Sequence, residues 1–458
     1  MLESRWKIML TFGTDGIRGN ADQFPFADDS LQVLGRAIAQ WACEKYGLDK
    51  PKLLIAMDTR ISGPRIKNSL CAGLLAGGVD VVDAGVLSTP ALCKLITQSD
   101  LEFNAGIVIS ASHNPYHDNG IKLFDAQRCK LSAQDEQRIT ELFLQEESRD
   151  QDQQEFSGDL VDHGVLTLWP EASESYQALV LSQFPAGFLK NVHVVLDCAN
   201  GATYQVAPKI FQDLGARVTT IAVEPSGTNI NDECGATHPE VLRAAVLKFG
   251  ADCGFAFDGD GDRIVAVNSK GEIKDGDDIV AFLLNHARYQ QSIAVVGTIM
   301  SNQGFAQYLE DLGKVFYRTK VGDKHVVAKL EEEKLLLGGE PSGHIVLRDY
   351  MATGDGVFVA LMLLETAIQN NTWSFDSFVK YPQVTVNIRV DKKNDLAQHP
   401  FATIIADHET MLEKGRLVVR YSGTEPLLRV MVEASHHDHA HAVATSLVQQ
   451  LSEKFLNS

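Results

Sequence analysis

Short apolar runs and amphipathic stretches alternate along most of the chain. Three segments repeat one plan: an apolar run, a polar or glycine turn, an amphipathic helix, a glycine and a second apolar run. The first is Leu53-Leu54-Ile55-Ala56-Met57, then DTRISG, a helix to about Leu75, Gly77-Gly78 and Val79-Asp80-Val81-Val82. The second is Val192-His193-Val194-Val195-Leu196, then DCANGA, a helix to Leu214, Gly215 and Val218 to Val223. The third is Ile293-Ala294-Val295-Val296, then GTIMSNQG, a helix to Leu312, Gly313 and Val315-Phe316-Tyr317. Apolar runs this short, joined through helices, predict buried parallel strands in βαβ crossovers. Three such units predict three related α/β domains.

The C-terminal part reads differently. Val384, Val386, Ile388 and Val390 alternate with Thr385, Asn387 and Arg389, and Leu428, Val430 and Val432 recur at alternate positions, which predicts strands, the first half-exposed. A helix follows from about Asp438 to Phe455, and strands segregated from a helix predict a small α+β domain. Breaks are expected in the polar stretch 147–158, near Lys270-Gly271 and near Thr372–Phe375. They divide the chain into 1–156, 157–270, 271–374 and 375–458. At 458 residues that division is of ordinary domain size.

Charge narrows the function. The formal net charge is −19, which repels phosphate backbones and anionic lipid, so neither nucleic acid nor membrane is expected as a partner. No apolar run approaches the ~20 residues of a bilayer span. The N-terminus MLESRWKIML has no secretory pattern, and the seven cysteines are never spaced C-x-x-C. These features predict a cytoplasmic protein with reduced thiols.

The chemistry sits in loops after apolar runs. Asp258-Gly259-Asp260-Gly261-Asp262-Arg263 follows Phe255-Ala256-Phe257. Three carboxylates alternating with glycine turn their oxygens toward one point, as a hard divalent cation requires. An EF-hand loop fails here, since its sixth position holds Arg263 and its twelfth Ser269. An aspartate-nucleophile phosphatase loop stays open, with Asp262 at its fifth position. Ser110-Ala111-Ser112-His113-Asn114-Pro115 closes another buried strand, where a nucleophile and a plain polar turn are equal readings. Arg420-Tyr421-Ser422-Gly423-Thr424-Glu425-Pro426, with Arg429 beyond, gathers guanidiniums, hydroxyls and a glycine N–H as a phosphate cradle does. Gly339-Glu340-Pro341-Ser342-Gly343-His344 brings together an acid, a hydroxyl and an imidazole suited to sugar hydroxyls and proton movement. Neither a Walker lysine motif nor a G-x-S-x-G elbow occurs, which argues against the P-loop and serine-hydrolase readings.

Together FGTDGIRG (12–19), DTRISG (58–63), SASHNP (110–115), DGDGDR (258–263), GEPSGH (339–344) and RYSGTEP (420–426) resemble the α-D-phosphohexomutase superfamily. They occur in its order and span the chain. Within it, Gly227–Pro239 (GTNINDECGATHP) and VGTIMSNQG (296–304) are most similar to the branch acting on glucosamine phosphates. The resemblance implies α/β architecture: three related α/β domains with mixed sheets and a C-terminal α+β domain around a central cleft. It places the phosphoserine on Ser112 and Mg²⁺ ligands on Ser112, Asp258, Asp260 and Asp262. Glu340 and Ser342 match sugar-hydroxyl ligands, and Lys320 a substrate contact. Arg420, Ser422, Gly423, Thr424 and Arg429 match a phosphate clamp. Arg18, Lys122 and His344 match basic residues near the transferring phosphoryl, and Arg263 follows the metal loop as in the family. Pro341 departs from the Gln, Asn or Met expected there, and residues 1–8 precede the usual start, with Met9 a candidate initiator.

The implied reaction converts glucosamine 6-phosphate to glucosamine 1-phosphate, on the route to UDP-N-acetylglucosamine. It uses one Mg²⁺ per site and glucosamine or glucose 1,6-bisphosphate as activator. The substrate is a small phosphosugar, and a homodimer is compatible with this reading. A phosphomannomutase or phosphoglucomutase would share the catalytic loops, an aspartate-nucleophile phosphatase would label at Asp258, and a binding protein would lack turnover. The tract His436–His441 is expected to open the last helix on a solvated face, and Cys198 and Cys234 to pack rather than react.

Overall fold

In the computed structural model, residues 10–13, 15–98, 100–126, 130–151, 163–422 and 426–456 are described. The chain forms two compact units, residues 1–292 with 322–375, and residues 293–321 with 376–458.

The first unit contains two mixed sheets. Six strands lie in the order Ile17–Asn20, Asp118–Asp125, Ala105–Ile109, Lys52–Met57, Asp80–Val86 and Leu166–Leu168. The predicted pair Lys52–Met57 and Asp80–Val86 is parallel, as is Lys52–Met57 with Ala105–Ile109. Asp118–Asp125 then runs antiparallel to Ala105–Ile109 with Val108 opposite Lys122. Central strands of this kind are buried on both faces, and Ala105–Ile109 is buried throughout. Burying one aliphatic side chain such as Ile107 stabilises by roughly 1.5–3 kcal/mol, and the loop that begins at Ser110 leaves directly from this buried strand. Leu166–Leu168, exposed along its length, completes this sheet although it follows the polar stretch at 147–158.

The second sheet orders Ile273–Lys274, Ile264–Asn268, Cys253–Phe257, His193–Asp197 and Arg217–Ile221. His193–Asp197 is parallel to both Arg217–Ile221 and Cys253–Phe257, as the repeated plan predicts. Cys253–Phe257 and Ile264–Asn268 form an antiparallel pair with Phe257 opposite Ile264, so residues 258–263 are the whole connection. A short antiparallel pair, Leu337–Gly339 and Ile345–Leu347, likewise presents residues 340–344. The helix Gly356–Asn370 is apolar and buried along most of its length, and the Asp355 side chain caps its start by accepting from the Phe358 N–H.

The second unit holds the parallel pair Ala294–Thr298 and Val315–Thr319. It also holds an antiparallel sheet ordered Gln383–Arg389, Leu427–Glu433, Arg416–Tyr421. The helix His437–Leu456 packs on that sheet, matching the α+β pattern read from the sequence. Arg416 joins the two parts by donating to Glu433 and to the carbonyls of Ile299 and Ser301.

Candidate active site

Ser112 follows the buried strand Ala105–Ile109 and has a left-handed backbone, φ +54°. A residue with a Cβ adopts this conformation only where its surroundings impose it. Here they do. The Ser112 N–H donates to Ser110 Oγ at 2.9 Å, and Ser110 Oγ donates to Asp58 Oδ2 at 2.6 Å. Asp58 is paired in turn with buried Arg60 at 2.9 Å. The Arg60 guanidinium donates to the carbonyls of Ser112 (3.0 Å), Asn114 (2.8 Å), Asp118 (3.0 Å) and Pro115. With the backbone pinned, Ser112 Oγ donates to Asp258 Oδ2 at 2.6 Å.

Asp258 belongs to the tight turn after Cys253–Phe257. Ligand oxygens of Asp258, Asp260 and Asp262 all lie within 4.8 Å of one another, the only such cluster of potential metal ligands among the described residues. All three side chains are buried. Burial, then the charges of Asp262 and Asp260, push the Asp258 carboxyl up to about 8 against the pull of Arg263. Oδ1 of Asp260 and Oδ1 of Asp262 are buried with no hydrogen-bond partner among the described residues. The glycines between them are a steric requirement. A Cβ on Gly259 would come within 2.6 Å of the Ser112 carbonyl oxygen, and Gly261 has φ +76°.

Cationic groups surround this cluster. Lys122 Nζ lies 2.7 Å from Asp15, 2.8 Å from Asp260 and 3.2 Å from Asp262. Burial opposes its charge, but the three carboxylates outweigh burial and hold its pKa well above the usual lysine value. Arg18 pairs with Asp15 at 2.6 Å, and Lys130 pairs with both Asp15 and Asp323. His344 lies between Asp262 (3.7 Å) and Asp323 (3.6 Å), and the Gly354 N–H donates to its Nε2 at 3.0 Å. The Arg263 backbone N–H donates to Asp258. His113 Nδ1 is 3.3 Å from Ser112 Oγ, and burial with Arg263 and Arg18 lowers its pKa to about 4, so it is neutral.

Ser112, the three aspartates, Lys122, Arg18, Arg263 and His344 are thus brought together. Glu340 is buried and accepts the Gly322 N–H at 2.9 Å, whereas Ser342 is exposed. In the second unit Lys320 is exposed, Ser422 is buried, and Arg420 lies directly opposite Arg429 in the sheet. Gly423 and Thr424 lie outside the described residues.

Sequence reasoning missed several residues. Asp15 and Arg60 sit in motifs singled out for other members, and Asn231 in the stretch read for its likeness to the glucosamine branch. Lys130 and Asp323 carried no local signal at all. The histidine tract and two of the cysteines follow the sequence reading. His437 opens the last helix, and the tract is exposed apart from Ala440. Cys198 and Cys234 are buried, and burial raises both thiols, that of Cys234 up to about 12. Cys129 lies outside the described residues.

Sequence profiles of the phosphoglucomutase/phosphomannomutase family match in four blocks. Alpha/beta/alpha domain I covers residues 9–150, domain II 175–271, domain III 275–381, and the C-terminal domain 386–450. A phosphoglucosamine mutase from Zymomonas mobilis subsp. mobilis is 41% identical over 446 residues, covering 96% of this chain and 98% of that protein. Another from Pseudoalteromonas translucida is 40% identical over 455 residues, covering 97% and 98%. Among solved structures, a phosphoglucomutase/phosphomannomutase family protein from Burkholderia thailandensis superposes with TM-score 0.77 at 22% identity, covering 96% of this chain and 97% of that one. An Aspergillus fumigatus N-acetylphosphoglucosamine mutase in complex with GlcNAc-6P and magnesium gives TM-score 0.64 at 17% identity, covering 98% and 96%. These two structures share the fold, and no helix among the described residues is long and apolar enough to cross a membrane.

Proposed function

The chain belongs to the phosphoglucomutase/phosphomannomutase family, and within it we propose that it interconverts glucosamine 6-phosphate and glucosamine 1-phosphate through a phosphorylated Ser112. The observation that carries this reading is the Ser112 hydroxyl on Asp258, beside two further buried carboxylates and an enclosed lysine.

The donor set suits magnesium. Asp258, Asp260 and Asp262 offer only oxygen, and the Oδ1 atoms of Asp260 and Asp262, which accept no hydrogen bond among the described residues, leave lone pairs for a cation. The three aspartates, with the phosphate on Ser112, would hold one Mg²⁺, which supplies charge neutralisation for the phosphoryl group. The chain's own residues do the rest. Phosphoryl transfer needs positioning and positive charge more than covalent help. The network from Asp58 and Arg60 holds Ser112, and Lys122, held protonated, adds fixed charge with Arg18 and Arg263.

In the first half-reaction the sugar O1 attacks phosphorus as the bond from phosphorus to Ser112 Oγ breaks. The O1 proton passes to a group of the cluster able to accept one, for which His344 is the candidate because Lys122 and Arg18 are held as cations. The leaving Ser112 Oγ takes up a proton in exchange. The product is the 1,6-bisphosphate. After the sugar turns, Ser112 Oγ attacks the O6 phosphoryl as the bond from phosphorus to O6 breaks, the Oγ proton passes through the same group to O6, and glucosamine 1-phosphate leaves. Glucosamine or glucose 1,6-bisphosphate charges Ser112 when it has lost its phosphoryl. Glu340, Ser342 and Lys320 are assigned to the sugar, and Arg420, Ser422, Gly423, Thr424 and Arg429 to the phosphate not being transferred.

Turnover on glucosamine, glucose and mannose 6-phosphates, measured side by side, tests the substrate. The highest kcat/KM is expected for glucosamine 6-phosphate, and a preference for mannose 6-phosphate would assign the chain to the phosphomannomutases instead.

A further inference from the structure

The stretch Gly227–Pro239 approaches the loop of Ser112 from the second sheet. Its Asn231 is buried, and its amide nitrogen donates to the Ser112 carbonyl at 2.9 Å and to the Asn114 carbonyl at 3.2 Å. Both neighbours are acceptors, so the NH₂ end of the amide is the end that faces them. Arg60 donates to the same two carbonyls from the opposite side of the sequence. Asn231 is itself held, because its backbone N–H donates to Ala199 at 2.9 Å. Gly259 leaves the space for this meeting, since a Cβ there would lie 2.6 Å from the Ser112 carbonyl oxygen and 2.7 Å from the Asn231 amide nitrogen.

Ser112 therefore has a left-handed backbone whose carbonyl is gripped by two donors on separate elements. Rotating that peptide would move Oγ off Asp258. We propose that Asn231 is a positioning residue for phosphoryl transfer, its amide fixing the Ser112 carbonyl and so the direction of Oγ. The stretch that resembles the glucosamine branch then acts on the rate at Ser112 rather than on the choice of sugar. This inference rests on Ser112 being the phosphoryl carrier.

The test uses the full chain with Asn231→Asp and Asn231→Ala. Asp keeps the shape but turns an acceptor on the two carbonyls, and Ala removes the donor altogether. Ser112 is first charged with glucose 1,6-bisphosphate and the phosphorylated fraction counted by mass. Single-turnover transfer to the sugar is then measured per phosphorylated molecule, so unfolded or uncharged protein drops out. Losing two neutral hydrogen bonds predicts a rate roughly 10- to 100-fold lower, with KM changed less than about threefold. The preference for glucosamine over glucose 6-phosphate should not change. Wild-type transfer rates in both variants would overturn the inference while leaving the carrier intact. Loss of sugar preference with an unchanged transfer rate would also overturn it. A wild type that takes no phosphoryl on Ser112 would overturn the carrier and the inference together.

Discussion

Arg420 and Arg429 face each other directly across the antiparallel strands Arg416–Tyr421 and Leu427–Glu433. Directly opposed residues project from the same face of a sheet, and like charges so placed destabilise it. An anion over that face reverses the sign of the arrangement. If these arginines hold the phosphate not being transferred, Arg420→Ala or Arg429→Ala removes a charge-assisted contact of about 1.5–3 kcal/mol. Substrate binding should weaken roughly 10- to 150-fold. The bisphosphate should also escape before turning, so these variants should depend more on added glucose 1,6-bisphosphate. Wild-type KM without added dependence would remove the clamp from the account.

The three carboxylates give a metal prediction. Asp258→Asn, Asp260→Asn and Asp262→Asn should each weaken Mg²⁺ binding and cut turnover severely, because each replaces one of three buried carboxyl ligands with a neutral amide. Chelation should silence the wild type and Mg²⁺ restore it. Full activity in excess chelator would contradict the site.

Arg60 predicts a stability effect. Its charge is enclosed with that of Asp58, and breaking a buried pair by removing one partner costs about 3–5 kcal/mol. Arg60→Ala should lower the urea midpoint accordingly, whereas Thr59, outside the pair, should tolerate Ser with little change. A midpoint unchanged by Arg60→Ala would show that the pair does not hold the loop.

Asp355, which is not one of the three metal-loop carboxylates, supplies a pH dependence. Burial raises its carboxyl to about 6 from 3.8, although the Phe358 N–H and the Tyr176 hydroxyl favour the charged form. A carboxyl raised in the folded state binds its proton more tightly there than when unfolded. Its contribution is complete below the unfolded value and is lost as pH rises through about 6. Asn at this position keeps an oxygen cap and does not titrate. The stability of Asp355→Asn relative to wild type should therefore rise between about pH 4 and 6 by up to about 3 kcal/mol, then level off. A flat difference across that range would contradict the shift.

Much of this architecture could be read from the chain because each chemical loop closes an apolar run. Phe255-Ala256-Phe257 announces Asp258, and Ile107-Val108-Ile109 announces Ser112. The strand Leu166–Leu168 could not be read, since it is exposed and short, and only its edge pairing with Asp80–Val86 defines it. The partners of Arg60 are mostly carbonyl oxygens, and every residue has one, so no residue type marks the contact. Lys130 and Asp323 meet across 193 positions through topology alone. Lys122 was legible as a basic residue near the phosphoryl, but its contact with Asp15 needed the antiparallel strand that turns it inward.

The measurement closest to the central claim is the position of the phosphoryl group itself. The protein is incubated with glucose 1,6-bisphosphate labelled in its phosphate, quenched, digested and mapped by peptide mass. The account predicts one acid-stable phosphoryl on Ser112, discharged on adding glucosamine 6-phosphate and absent from Ser112→Ala, which should also be inactive yet folded. Label on Ser110, or an acyl phosphate on Asp258 with release of inorganic phosphate, would contradict it.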